Sequence, residues 1–210
     1  MLRNFPQTDL YCLTAEAYSL GRTNAEVVAE MIAAGIQVIQ YREKDKSMRE
    51  KFRECQEIRR MTTAAGVTFI VNDDVDLAVM TGADGIHVGQ DDLPVPEIRR
   101  LVGEKMIIGL STHSPEQACE AERIGVDYIG VGPIFRTTTK KDVCDPVGFQ
   151  YLEYVVENIK IPFVAIGGIK ESNVREISGR GATCIAMVTE IVGAENIKQK
   201  IADIRSRIRK

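Results

Sequence analysis

Eight short runs rich in β-branched residues, each followed by a segment of helical periodicity, predict a (β/α)8 barrel, an α/β fold with one closed parallel sheet. Two observations favour closure over an open doubly wound sheet. The strand count is eight, and the G-x-G-x-x-G that a dinucleotide-binding sheet carries after its first strand is missing. A length of 210 residues leaves about 26 per β/α unit, compact but sufficient, so residues 1–210 are read as a single catalytic barrel domain.

The strands are expected at 9–14, 38–42, 68–72, 85–88, 107–111, 128–131, 163–167 and 184–188. Amphipathic stretches lie between them at 25–34, 48–65, 94–102, 115–124, 149–158, 171–178 and 197–209, with a short helix at 73–80 after the third strand. Strict alternation of this kind implies parallel pairing with right-handed crossovers.

Composition excludes several function classes. Hydrophobic residues make up 44%, charged residues 27%, and the net charge is −3 with both signs interleaved, which argues against a nucleic-acid groove. The basic residues of 198–210 read as a terminal helix with cations near its negative dipole end. Five scattered cysteines form no C-x-x-C pair, and two histidines supply too few ligands for a Cys/His zinc site. Reduced thiols, an N-terminus without a signal-peptide core and the lack of an apolar run of about 20 residues point to a cytoplasmic protein off the membrane. The sequence leaves room for a homo-oligomer.

The polar residues collect where strands end. Strand two runs into Gln40, Arg42 and Lys44, strand three into Asn72, Asp73 and Asp74, and strand four into His87, Gln90 and Asp92. Strand five closes on Ser111 and His113, strand six opens the loop 136–142, strand seven ends in Gly167-Gly168, and strand eight leads into Val188-Thr189. Residues preceding the strands are plainer. In barrel enzymes the loops after the strands' C-terminal ends carry the chemistry.

Gln40, Arg42 and Lys44 alternate, which turns all three to one face of an extended segment. Two cations facing a barrel interior call for an anion: a phosphate or diphosphate, or else an internal salt bridge to Asp73 or Glu43. Asp73 and Asp92 follow consecutive strands. Paired carboxylates there suit Mg²⁺ completed by water and substrate phosphate, while Asp73 alone would read as a helix N-cap. Gly167-Gly168, with Val188-Thr189 opening the last helix, matches the barrel phosphate site or a plain turn. Two anion sites suggest two phosphorylated reactants. The loop carrying Thr137, Thr139 and Lys140 reads as a solvated connector or as a lid over a leaving group. His87 is expected to be packed and hydrogen-bonded within its strand. His113 is expected to face the pocket without forming a nucleophile pair with Ser111.

Six motifs in order, Gln40-x-Arg42-x-Lys44, Asn72-Asp73, His87-x-Gly89-Gln90-x-Asp92, Gly109-x-Ser111-x-His113, Gly132-Pro133 with Thr137-x-Thr139-Lys140, and Ala165-Ile166-Gly167-Gly168, resemble the thiamine phosphate synthase family over nearly the whole chain. The resemblance implies condensation of 4-amino-5-hydroxymethyl-2-methylpyrimidine diphosphate with thiazole phosphate, giving thiamine phosphate and diphosphate through a pyrimidine cation. It implies Mg²⁺ on Asp73 and Asp92, and diphosphate held by Arg42, Lys44, Asn72 and Lys140. Gln40 and Ser111 would address the pyrimidine. Thr137, Thr139, Gly168, Val188 and Thr189 would meet the thiazole phosphate. Arg42, Lys44, Ser111 and Lys140 are the implied catalytic groups.

Two departures from the family pattern stand out. Arg136 replaces a frequent proline, and Thr189-Glu190 replaces serine and a small residue, which sets a carboxylate where it would repel the thiazole phosphate. The alternatives are a related thiazole tautomerase, which would use a histidine and no diphosphate-metal set, and a non-catalytic sensor of thiamine precursors.

Overall fold

The computed structural model describes residues 4–137, 139 and 144–208. Eight parallel strands close a barrel in sequence order: β1 Leu10–Leu13, β2 Val38–Tyr41, β3 Thr68–Asn72, β4 Gly85–Val88, β5 Ile107–Thr112, β6 Tyr128–Val131, β7 Phe163–Ala165 and β8 Ile185–Met187. The ladder returns from β8 to β1 through Leu10↔Ile185 and Tyr11↔Ala186, confirming the closed barrel read from the sequence. Helices α1 Asn24–Ala33, α2 Met48–Ala65, α3 Val75–Thr81, α4 Val95–Val102, α5 Pro115–Arg123, α6 Gly148–Asn158 and α7 Val174–Gly179 lie between the strands. Helices α8 Thr189–Val192 and α9 Ile197–Ile208 follow β8.

Local chemistry explains the sharpest boundaries. Ser47 and Glu50 form a capping box at the start of α2, which ends at Gly66 in a left-handed conformation. Thr23 and Glu26 form the same box on α1. Ser114 caps α5 through the amide of Gln117, ahead of Pro115 in the first turn.

The period of two along each strand sorts the side chains into two layers. Cys12, Ile39, Phe69, Val71, Ile86, Ile108, Ile129 and Ile185 pack outward under the helices. Tyr11, Leu13, Val38, Ile70, Ile107, Tyr128, Val164 and Ala186 fill the barrel interior, where Phe5 stacks on Tyr128 with ring centroids 4.2 Å apart. By the same alternation Gln40, Asn72, His87 and Ser111 belong to the inward set.

The N-terminal rim is less plain than its sequence. Asp9, Asp84 and Asp127, each just before a strand, bind Arg205, Arg59 and Arg99 at 2.9, 2.7 and 2.7 Å. Asp84 and Asp127 also accept the backbone N–H groups of Phe69 and Ile108, both at 2.8 Å. Arg205 therefore ties the terminal helix to the first strand, a specific use for one cation of the basic C-terminal segment. This end of the barrel is fastened by ion pairs, as its stabilising role requires.

Three expectations need correction. β2 ends at Tyr41, so Arg42 and Lys44 lie past the strand, half-buried and exposed respectively rather than inside the barrel. β7 ends at Ala165, which puts Gly167-Gly168 in the following loop. Val188-Thr189 opens a separate four-residue helix, α8, and not the last helix.

Candidate active site

The C-terminal strand ends surround one cavity of 1030 Å³, larger than a pocket for a single small ligand needs. Its lining includes Gln40, Arg42 and Lys44 from the β2 end, Asn72 and Asp73 from β3, Asp92 after β4, and Ser111 and His113 from β5. Arg136, Thr137 and Thr139 line it from the loop after β6, and Gly168, Val188 and Thr189 from the far wall. Every residue expected of the site among the described ones therefore borders the same space. Lys140 lies outside the described residues.

The cationic side is held from behind. The amide of Arg42 donates to Thr14 Oγ1 at 2.9 Å, and Lys44 makes an ion pair with Asp73. Lys46 bridges Glu16 (2.6 Å) and Glu54, while Glu54 also accepts from Asn24 and Tyr41 at 2.9 and 2.8 Å. Burial pushes the Glu54 carboxyl up, but these bonds outweigh it and hold the group below its usual range. The network anchors the loop that carries Arg42 and Lys44 to α1 and α2.

Asp73 adopts φ +60°, a left-handed conformation uncommon for a non-glycine residue, and its amide donates to the His87 carbonyl at 2.9 Å. It does not cap α3; Asp74 occupies that position, with its carboxylate on Lys51 at 2.7 Å. The salt bridge between Lys44 and Asp73 considered as an alternative to an anion is present, yet Lys44 is 48% exposed, so the pair is weak and exchangeable. Asp92 accepts the Gly89 amide at 2.7 Å through one oxygen.

On the opposite wall Gly167 and Gly168 have φ +101° and +63°, and the Phe135 amide donates to the Gly167 carbonyl at 2.9 Å. Asn173 draws the Gly168 carbonyl outward at 3.1 Å. Thr137 and Thr139 hydroxyls meet at 3.2 Å. Glu190 does not line the cavity. Its carboxylate accepts the Glu171 amide at 3.2 Å and faces Lys200 at 3.6 Å. Arg136 does line the cavity and adds a cation there.

Sequence reasoning placed His87 in the packed, hydrogen-bonded class, and both its ring nitrogens are engaged, with Tyr128 Oη at 2.8 Å and Ser111 Oγ at 2.9 Å. His113 borders the cavity as expected and donates from Nδ1 to the Gly132 carbonyl at 2.5 Å. The partner of Ser111 is thus His87. Tyr11 and Tyr128 were missed as cavity residues because they stand in apolar strand patterns. The available signal was Gly109 and Gly130 inside strands, which marks a close approach of neighbouring groups.

A closed parallel barrel with such a cavity at the C-terminal strand ends defines a (β/α)8-barrel enzyme. The family model described as thiamine monophosphate synthase matches residues 10–191. A protein of Pelotomaculum thermopropionicum named thiamine-phosphate synthase is 68% identical over 95% of this chain and 92% of its own length. One of the same name from Lawsonia intracellularis is 54% identical over 95% and 92%. The chain belongs to the thiamine monophosphate synthase family. Among solved structures, thiamine phosphate pyrophosphorylase from Pyrococcus furiosus superposes with a TM-score of 0.87 at 33% identity, covering 96% of this chain and 95% of that one.

Proposed function

We propose that the enzyme joins 4-amino-5-hydroxymethyl-2-methylpyrimidine diphosphate to thiazole phosphate, releasing diphosphate, with Mg²⁺ as cofactor. The observation that carries this reading is that one cavity gathers cationic and amide side chains at the β2 and β3 ends, glycine and threonine groups after β6 and β7, and uncharged polar groups from within β2 and β5. Arg42, Lys44 and Asn72 come from the β2 and β3 ends, Thr137, Thr139 and Gly168 from the loops after β6 and β7, and Gln40 and Ser111 from within β2 and β5.

The donor set fits a hard divalent cation. Asp73 and Asp92 both line the cavity and offer carboxylate oxygens. That fits a site completed by water and substrate phosphate, the habit of Mg²⁺. When bound, the ion would neutralise charge on the departing diphosphate. Arg42 and Lys44 add to that stabilisation, Arg42 as a planar fork and Lys44 as a point charge released from Asp73. Asn72 donates to the same group. Gln40 and Ser111 hold the pyrimidine while its bond to the diphosphate breaks, and the thiazole nitrogen then forms the new bond. Lys140 covers the leaving group by the family resemblance, with Thr137, Thr139, Val188 and Thr189 receiving the second phosphate. The chemistry needs stabilised negative charge more than a general base.

The tautomerase alternative is disfavoured by the retained diphosphate-facing set and by the names of the relatives. The sensor alternative is disfavoured by the intact Asp73 and Asp92 pair. Mixing both substrates with Mg²⁺ should yield thiamine phosphate and diphosphate in equal amounts, and EDTA should stop the reaction. Thiamine phosphate formation undiminished in EDTA would refute the metal assignment, and no formation at all would refute the reading.

A further inference from the structure

Five side chains from five strands form one hydrogen-bonded chain across the barrel beneath the cavity. Gln40 Nε2 on β2 donates to Tyr11 Oη on β1 at 2.9 Å, and Tyr11 Oη lies 2.9 Å from Tyr128 Oη on β6. Tyr128 Oη meets His87 Nδ1 on β4 at 2.8 Å, and His87 Nε2 meets Ser111 Oγ on β5 at 2.9 Å.

The strands make room for it. Gly109 pairs in register with His87 on one side and Tyr128 on the other. A Cβ at Gly109 would lie 2.2 Å from Tyr128 Cζ and 2.5 Å from His87 Nδ1, inside the bond between the two rings. A Cβ at Gly130 would approach His87 Cε1 to 3.3 Å. Two glycines in adjacent strands thus clear the space in which tyrosine and histidine meet.

The chain also has a direction. With Gln40 donating, Tyr11 Oη is an acceptor at its first link, and its own hydrogen goes to Tyr128. If Tyr128 donated back instead, the buried Tyr11 hydroxyl would accept twice and leave its hydrogen unmatched by either partner, an unfavourable state in an interior. Tyr128 therefore donates to His87 Nδ1, a neutral His87 carries its hydrogen on Nε2, and Nε2 donates to Ser111 Oγ. Burial raises the phenolic pKa values of both tyrosines, which keeps them protonated as this order needs.

We propose that His87 is a positioning residue which, oriented by Tyr128, turns the Ser111 hydroxyl hydrogen into the cavity, so that Ser111 donates to a ring-nitrogen acceptor while Gln40 Oε1 accepts from an amino group. The inference rests on the pyrimidine reading above and adds the polarity of each contact. It separates substrates by chemistry: a ring that presents an amino donor toward Gln40 and a ring acceptor toward Ser111 fits, and one with those two exchanged does not.

The tautomer is read by ¹⁵N NMR of histidine-labelled protein at about pH 8.5, two units above the ordinary imidazole pKa. Only two histidines are present, and His113→Asn identifies His87 by elimination. His87 should show Nε2–H and His113, a donor to a carbonyl, Nδ1–H. A His87 Nδ1–H tautomer would reverse every link and overturn the proposal.

The functional arm is a double-mutant cycle. His87→Leu should raise the KM for the pyrimidine diphosphate by roughly tenfold, the worth of one good hydrogen bond, with a smaller change in kcat. In a Ser111→Ala background the same substitution should add little, because its partner is gone. His87→Gln, which keeps a donor near Ser111, should recover part of the loss. Thermal unfolding of each variant separates misfolding from mispositioning. Additive losses from His87→Leu and Ser111→Ala in folded protein would overturn the coupling. Wild-type protein that makes no thiamine phosphate would instead refute the proposed reaction, and the NMR result would still decide the polarity.

Discussion

A side chain at Gly168 should be costly on two counts that can be measured separately. Its φ of +63° disfavours any side chain, and a Cβ there would stand 2.6 Å from the Arg136 carbonyl oxygen and 2.8 Å from Phe135 Cβ. The first effect costs about 1–2 kcal/mol for an L-residue in the left-handed region. The second costs about 1–3 kcal/mol, because the clashing atoms belong largely to backbone and cannot swing away. Gly66 supplies the control. Its φ of +67° is nearly the same, but a Cβ there meets nothing within 4 Å. Gly66→Ala should therefore carry only the conformational cost, and the difference between the variants isolates the steric one. For a chain of this length 1 kcal/mol moves Tm by about 2–4 °C, so Gly168→Ala should melt roughly 2–12 °C below Gly66→Ala. Displacing Phe135 and Arg136 should also raise the KM for thiazole phosphate while leaving that for the pyrimidine diphosphate nearly unchanged. Equal melting temperatures, with equal KM values for thiazole phosphate, would refute the close approach of these two loops.

Other consequences follow from the same geometry. Asp73→Ala or Asp92→Ala should lower turnover about a hundredfold or more, the worth of a major electrostatic stabiliser, measured against Mg²⁺ concentration in steady-state assays. Lys140→Ala should slow turnover far more than it lowers Tm and should raise the share of hydrolysed pyrimidine over coupled product in single-turnover reactions, since water would trap the proposed cation. Unchanged partitioning and rate would make the loop after β6 a solvated connector. Tyr11, Tyr41 and Tyr128 have pKa values raised chiefly by burial, so the folded protein keeps phenolic protons that the unfolded chain loses. Stability should be intact below about pH 10, the ordinary phenol value, and fall as pH rises past it. The phenolate absorbance of these three should grow only together with alkaline unfolding, and their ionisation in folded protein would contradict their burial.

How far the sequence could be read depended on what sets each boundary. β3, β4, β6 and α2 end where local chemistry ends them: at a glycine, a capping box or a change of period. β5 runs one residue further than its apolar pattern, because Thr112 still pairs with Val131 across the barrel. β7 is shorter than its pattern, since only Ala165 pairs with β8. Such limits belong to the ladder and not to the strand. The charged rim was legible because Arg42, Lys44, Asp73 and Asp92 break apolar runs. The tyrosine and histidine chain was not, because Tyr11 and Tyr128 look like ordinary strand residues until closure brings β1 and β6 face to face. The partners of Glu190 were hidden for a related reason: the Glu171 amide and Lys200 reach it from other elements.

The central claim is that one cavity receives the diphosphate and its metal between the β2, β3 and β4 ends. A crystal structure with the pyrimidine diphosphate and Mn²⁺ in place of Mg²⁺ tests it most directly, because anomalous scattering locates the ion independently of the ligand. The account predicts a single ion bound by Asp73 and Asp92 and bridged to diphosphate oxygens, with Lys44 moved from Asp73 to the diphosphate. An ion elsewhere, or a diphosphate seated against Gly168 and α8 with the Lys44 pair undisturbed, would contradict it.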